Sequence, residues 1–306
     1  MLAKLRLQAK AWLKNIVSVK GGSAILSAFG ALWLLIEIST FYFQETAIPA
    51  WLRAHWWLFA IAGVVISACV CFPRLSVSYK LNGRDVTISI CINDMFSVPG
   101  ALIVGSNSTF DTEISPRLIA TKSVQGQFTK MHYTHESQLD AEIEASLRGT
   151  NGVHLTDRQF GKSTRYPRGT VARLNPQGRT AYLLAIADIN PQGVAESNFE
   201  YLQVALAELW IYVGSRGLKE PLVMPVLGTG LSRLPQTREQ VVREIINSFV
   251  AACSERVFAD HITIVLSPSD VKKHKISFDD IASFLRHTCV YTDFSTNAKP
   301  AVGQPT

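Results

Sequence analysis

Two glycines around a threonine, Gly228, Thr229 and Gly230 in "PVLGTGLSRLP", are the residues whose types and spacing speak most directly of chemistry. Glycines leave main-chain amides uncovered and permit positive φ, and successive amides of that kind form a concave site for an anion. Thr229 adds a hydroxyl donor, and Leu227 and Leu231 flank the turn. No lysine follows the pair, so this is not a P-loop; a plain strand-to-helix turn is the alternative. Asp94 in "CINDMFS" could accept a hydrogen bond from an exocyclic amine such as that of adenine, or could cap a turn. In "LIVGSN" the small residues Gly105 and Ser106 and the amide of Asn107 could approach a ribose, or Asn107 could stabilise a turn. No histidine, cysteine or carboxylate pair beside these stretches forms an evident catalytic unit, and none of the cysteine spacings suits a metal or cofactor.

These residues need elements to carry them. "SVSYKL" and "DVTISICI" read as strands joined by the turn signal "NGR", and "GALIVGSN" as a buried strand that delivers its loop at the carboxyl end. "HESQLDAEIEASL" reads as a helix, and "GTVARL" and "AYLLAIAD" as further strands. Ser197 and Glu200 have capping-box spacing at the start of a helix that Gly217 would end in a left-handed turn. Thr237 and Gln240 repeat that spacing, and the strand "HITIVL" and the helix "SFDDIASFLRH" follow. Alternating strands and helices predict a mixed α/β domain over residues 75–292, and ligands in such sheets sit at the carboxyl ends of strands. The loops after Ile92, Val104 and Leu227 should therefore gather. Residues 293–306 read as a disordered tail.

Residues 1–74 are of another kind. The first 22 residues carry Lys4, Arg6, Lys10, Lys14 and Lys20 and no acid, so they hold five of the six net positive charges. The basic balance therefore belongs to a tail and points to anionic lipid rather than nucleic acid. Residues 1–20 fit an amphipathic helix on a membrane surface, or a loose basic tail. Two apolar stretches, about 23–43 and 56–72, predict a transmembrane hairpin. Phe41, Tyr42, Phe43, Trp51, Trp56 and Trp57 cluster at one end and basic residues at the other, which puts both termini in the cytoplasm. A cleaved signal peptide or a buried helical hairpin are the alternatives. Ser23, Ser27 and Ala31, with Gly30 beside them, could let helices pack closely. Glu37 is a carboxylate inside the first span and a candidate for a polar path or for snorkelling. Cys69, Cys71, Cys91, Cys253 and Cys289 read as reduced thiols.

The three loops, in this order, resemble the macro-domain family, which binds ADP-ribose. The resemblance runs from about Ser76 to Tyr291, and "PVLGTG" is its most specific piece. It implies adenine contact at Asp94, a distal ribose near Asn107, and a diphosphate on the amides of Gly228, Thr229 and Gly230. Val104 replaces the family's first loop asparagine, and "STFDTEISPRL" stands where a glycine-rich run is usual. Those departures favour binding without turnover; a membrane-tethered ADP-ribosyl hydrolase or a non-catalytic scaffold are the alternatives. The order of two spans and a divergent macro-like domain is similar to the membrane-anchored effectors of bacterial Thoeris anti-phage systems. That resemblance implies a bacterial inner-membrane protein that senses a nucleotide signal, such as a histidine adduct of ADP-ribose made by a TIR-domain NADase. It further implies that the chain forms a homo-oligomer and disrupts the membrane.

Overall fold

The structure is a computed structural model and describes residues 9, 12–13, 17, 19–42, 51, 54–72, 75–115, 117–158, 160–190, 195–228, 234–292 and 294. Thr229, Gly230 and Leu231 lie outside the described residues, as do Phe43, most of residues 1–20 and all but one residue of the tail. The chain divides into two compact units, Met1–Leu75 and Ser76–Thr306.

The described residues of the first unit include the helices α1 (Val19–Tyr42) and α2 (Trp56–Val70). Both are apolar around their whole circumference, as helices surrounded by lipid or by protein must be. They pack on small residues: Ala28 and Ser67 are buried, and a Cβ on Gly63 would stand 3.1 Å from the Phe29 ring. The Ser67 hydroxyl donates to Gly63 O at 2.7 Å, so it brings no unpaired polar group into the contact. Ser23, Ser27 and Ala31 are exposed. The segment Gly21–Tyr42, with mean hydropathy 1.8, is long and apolar enough to cross a membrane. The second helix, at 15 residues, is shorter than the stretch expected from the sequence and than the usual span of about 17–25 residues.

In the second unit, strands β1 (Ser76–Lys80), β2 (Thr87–Ile92), β3 (Ala101–Asn107), β6 (Val171–Leu174), β7 (Ala181–Ile189), β9 (Leu222–Pro225) and β10 (His261–Leu266) form one sheet in the order β1-β2-β10-β9-β3-β7-β6. The inner five strands are parallel, and β1 and β6 pair antiparallel at the two edges. A short β8 (Ala195–Glu196) pairs with the end of β7, and β4 (Val153–His154) with β5 (Thr164–Arg165) makes a separate hairpin. Five helices flank the main sheet: α3 (Val124–His132), α4 (Glu136–Ser146), α5 (Phe199–Arg216), α6 (Arg238–Glu255) and α8 (Phe278–Tyr291); α7 (Pro268–His274) follows β10.

The period of two along the strands decides which helices cover which face. Leu102 and Val104 of β3, with Ala181, Leu183 and Ala185 of β7, join Phe128, Leu139 and Ile143 of α3 and α4 in one core. Tyr182, between two of those residues, points the other way and meets Tyr212 of α5 edge-to-face at 6.3 Å. Both faces of the inner strands are therefore buried, which is why "ALIV" and "AYLLAIA" are continuous apolar runs.

Three local expectations are corrected. The cap of α5 is Asn198, whose Oδ1 accepts from Tyr201 N at 2.8 Å, because the Ser197 hydroxyl is drawn to Ile186 O at 2.6 Å. Gly217 ends that helix at φ −75°, not in the left-handed region. Strand β3 runs on past Val104 to Asn107.

Candidate functional site

At the carboxyl edge of β3, β7 and β9 the structure opens a cavity of about 410 Å³. Gly105, Ser106 and Asn107 form one wall, Ile186 and Ala187 a second, and Pro225 to Gly228 a third, with the start of α3 completing the ring. A larger recess of about 760 Å³ lies at the β1–β2 turn, lined by Lys80 to Asp85. It is at the amino end of β2 and is broadly open, so it lacks the position at which parallel sheets hold ligands.

The first wall depends on a register shift. Ser106 pairs with Ala185 and Asn107 with Ala187, so Ile186 is the extra residue of a bulge. Bulges re-aim side chains beside functional sites. Here Ile186 comes so close to Gly105 that a Cβ there would stand 2.5 Å from its Cδ1. Glycine at this position keeps the strand and the cavity compatible. Ser106 is 4% exposed, and its hydroxyl has no hydrogen-bond partner among the described residues. A buried hydroxyl left unpaired costs about 1–3 kcal/mol, a cost that a ligand oxygen would remove.

Asn107 lines the cavity, but its side chain is committed to its own loop. Its Oδ1 accepts from Asp111 N at 3.0 Å and from the Thr109 hydroxyl at 3.1 Å, and its Nδ2 donates to Asp111 Oδ2 at 2.8 Å. Asp111 is the centre of this network. It also accepts from Thr109 Oγ1 at 2.8 Å, from Lys162 N at 2.8 Å, and from the Arg158 guanidinium in a buried ion pair. The network ties the loop after β3 to the segment between β4 and β5. Gly161, at φ +78°, is needed there because a Cβ would collide with the Asp111 carboxylate.

The third wall turns at Gly228, with φ +68°. Its carbonyl accepts from Leu234 N at 3.3 Å, so the two ends of the loop are held together. Leu227 is buried beneath the turn, 2% exposed.

Asp94 is not among the residues lining this cavity. It is exposed and caps a 3₁₀ turn, Met95–Ser97, its Oδ1 accepting from Phe96 N at 3.1 Å. Arg179 holds the segment that follows, donating to Phe96 O at 3.0 Å, to Gly100 O at 2.8 Å and to Val98 O. Burial lowers the pKa of Arg179, and burial followed by the charge of Arg179 lowers that of His132 behind it. Of the predicted set, Gly105, Ser106, Asn107, Leu227 and Gly228 come together around one cavity, and Asp94 is not among its lining residues.

Sequence reasoning overlooked four charged residues of the wall: Lys122, Arg238, Asp270 and Lys273. They come from the segments after β3, β9 and β10. A local signal was present at two of them, since Lys122 and Arg238 flank the helix caps Ser123 and Thr237.

A mixed sheet with antiparallel edges, helices on both faces and a glycine-opened cavity at its carboxyl edge is the plan of a macro domain. The family described as Thoeris protein ThsA, Macro domain, matches residues 88–267, more than half of the chain, and the chain belongs to that family. Thoeris protein ThsA of Bacillus amyloliquefaciens (strain Y2) is 25% identical over 163 residues, covering 52% of this chain and 53% of that protein. The chain thus spans about half the length of this curated relative. Among solved structures, the Oceanobacillus iheyensis macrodomain with MES bound is 14% identical and covers 69% of this chain and 97% of its own, with a TM-score of 0.48. The same macrodomain with ADP is 14% identical and covers 70% of this chain and 94% of its own, with a TM-score of 0.46.

Proposed function

We propose that this chain is the membrane effector of a Thoeris anti-phage system, and that its macro domain senses an ADP-ribose-derived nucleotide. The observation that carries the reading is the cavity between Gly105 and Gly228, in a domain of the ThsA macro family. The diphosphate would lie against the amides of the Gly228 turn, including those of Thr229, Gly230 and Leu231, with the distal end near Ser106 and Asn107. Asp94 would take the adenine amine once its loop meets the ligand. The signal would be a histidine adduct of ADP-ribose made by a TIR-domain NADase. Binding would favour a homo-oligomer in the bacterial inner membrane, with both termini cytoplasmic, and its helical hairpins would breach the bilayer. Only a ligand that binds the active arrangement more tightly can shift the population toward it. Binding without turnover is the reading we adopt: among the described lining residues Asp270 is the single carboxylate.

The test is co-expression with a TIR-domain NADase under phage challenge, read with a membrane-potential dye. The parent chain is expected to depolarise the cells, and Gly228→Asp, which sets a carboxylate against the diphosphate, to leave them polarised at equal expression. An undiminished response from that variant overturns the docking. Release of ADP-ribose from ADP-ribosylated protein by the purified chain would replace the sensor with a hydrolase.

A further inference from the structure

The helices of the second unit do not all present the same kind of face to solvent. Exposed positions of α4 include Ser137, Gln138, Ala141 and Glu144, and those of α6 include Gln240, Arg243 and Asn247. The outward face of α5 (Phe199–Arg216) is apolar instead. Ile211 is 65% exposed, Val204 44%, and Leu218, just past the helix end, 65%. Single exposed apolar residues need no explanation, but a stripe of them marks a contact surface. The spacing indicates the partner. Val204 and Leu218 stand seven residues to either side of Ile211, and the small exposed residues Ala207 and Ser215 stand four to either side. Offsets of four and seven share one face of a helix. A stripe that reads alike from both ends is self-complementary when two copies lie antiparallel about a two-fold axis, as an isologous contact requires. The Ser215 hydroxyl donates to Ile211 O at 2.9 Å, so it brings no unpaired group to the contact.

We propose that a second copy of this chain docks on this face, with the two α5 helices antiparallel and Ile211 on the two-fold axis. The inference rests on the reading of the chain as an oligomeric effector and gives that oligomer an interface. Charge supports the same partner. Glu208 and Arg216 are exposed and have no ion-pair partner among the described residues. In the antiparallel pair, Arg216 of one copy lies level with position 206 of the other, two residues or about 3 Å along the axis from Glu208. The symmetry makes that pairing twice. Glu200, in the first turn of α5, likewise faces the basic end of the other copy, where Arg216 and Lys219 lie. One helix face is less than the roughly 1,200–2,000 Å² of total surface that stable complexes bury. The contact is therefore weak between free copies and gains from confinement to a membrane plane. The face is also tied to the cavity. Ser197, one residue before the Asn198 cap of α5, donates its hydroxyl proton to Ile186 O at 2.6 Å, and Ile186 lines the cavity. A ligand that displaces this wall acts on the helix that carries the interface.

The test is disulfide cross-linking of the full chain in liposomes, in a Cys69→Ala background that removes the exposed native thiol. Ile211→Cys is expected to cross-link to itself severalfold faster than Lys130→Cys, an exposed position on α3. Val204→Cys and Leu218→Cys are expected to cross-link faster when mixed than either does alone, which the antiparallel register requires. Glu208→Arg should slow the Ile211→Cys reaction severalfold, and Glu208→Arg with Arg216→Glu should restore it. The interface is overturned if Ile211→Cys reacts no faster than Lys130→Cys, if mixing brings no gain, or if the double charge reversal brings no recovery. Quenching of a fluorophore on Ile211→Cys by brominated lipid, in place of cross-linking, would give this face to the bilayer instead. In the phage-challenge assay, Ile211→Glu is expected to abolish depolarisation. Cross-linking in this register without depolarisation by the parent keeps the interface and sinks the effector reading. Depolarisation by Ile211→Glu equal to that of the parent overturns the interface and leaves the effector reading standing.

Discussion

Asp111 shows how much can rest on a residue that does not line the cavity. Its side chain is 1% exposed and meets the Arg158 guanidinium, itself 6% exposed. A buried pair of this kind adds little over an apolar substitute, but removing one partner strands the other. Asp111→Ala is therefore expected to cost about 3–5 kcal/mol in urea unfolding, and to release the Asn107 amide that Asp111 holds. Arg158→Met with Asp111→Leu should recover much of that loss, because no charge is left behind. Part of this scale was legible beforehand. Gly105 and Gly228 announced themselves because a missing side chain next to an apolar run has few explanations. The Asp111–Arg158 pair did not, since its members lie 47 residues apart in the chain and only the fold brings them together. Asp94 and Asn107 each admitted a ligand role or a local cap, and nothing in residue type decides between them. In the structure the side chains of both bond within their own loops.

At the scale of elements, the packing of α5 on α6 is concentrated in aromatic rings. Trp210 lies 5.3 Å from the ring of Phe249 and 5.9 Å from that of Phe258, and its Nε1 donates to the Ser248 hydroxyl at 3.1 Å. Trp210→Ala is expected to destabilise the domain by about 3–5 kcal/mol, measured as a shift in the urea midpoint with the slope unchanged. Both helices carry an apolar stripe at helical spacing, Leu202, Leu206, Leu209 and Val213 in α5 and Val242, Ile245, Ile246, Phe249, Val250 and Cys253 in α6. The capping box of Thr237 and Gln240 was also visible, because both of its bonds form within four residues. Helix α3 was not. "VQGQFTKMH" is short and holds a glycine, and it is fixed by tertiary contacts. Phe128 is buried in the core, and Gly126 lies so close to Ala120 O that a side chain would not fit. The cap of α5 was misplaced by one residue for a similar reason, a tertiary carbonyl having captured the Ser197 hydroxyl.

For the whole molecule, the two units divide the work proposed for them: one binds, the other acts on lipid. Glu37 lies exposed on α1, within the segment apolar enough to cross a membrane. A carboxylate at that depth is costly unless it meets water or a partner. In liposomes loaded with a fluorescent dye, Glu37→Gln is expected to slow ligand-triggered release severalfold while leaving ADP-ribose binding by calorimetry unaltered. Equal release from both proteins would remove Glu37 from the path. The composition and charge of residues 1–74 suggested this division plainly, whereas the length of the second helix did not match expectation. One further consequence follows from the tie between Gly228 and Leu234. With its ends fastened by a main-chain bond, the intervening stretch can gain or lose residues at little entropic cost, roughly 0.6 kcal/mol for each doubling of its length. For the function proposed above, a change in the accepted nucleotide could then come from this one short insert, with the sheet and helices left as they are.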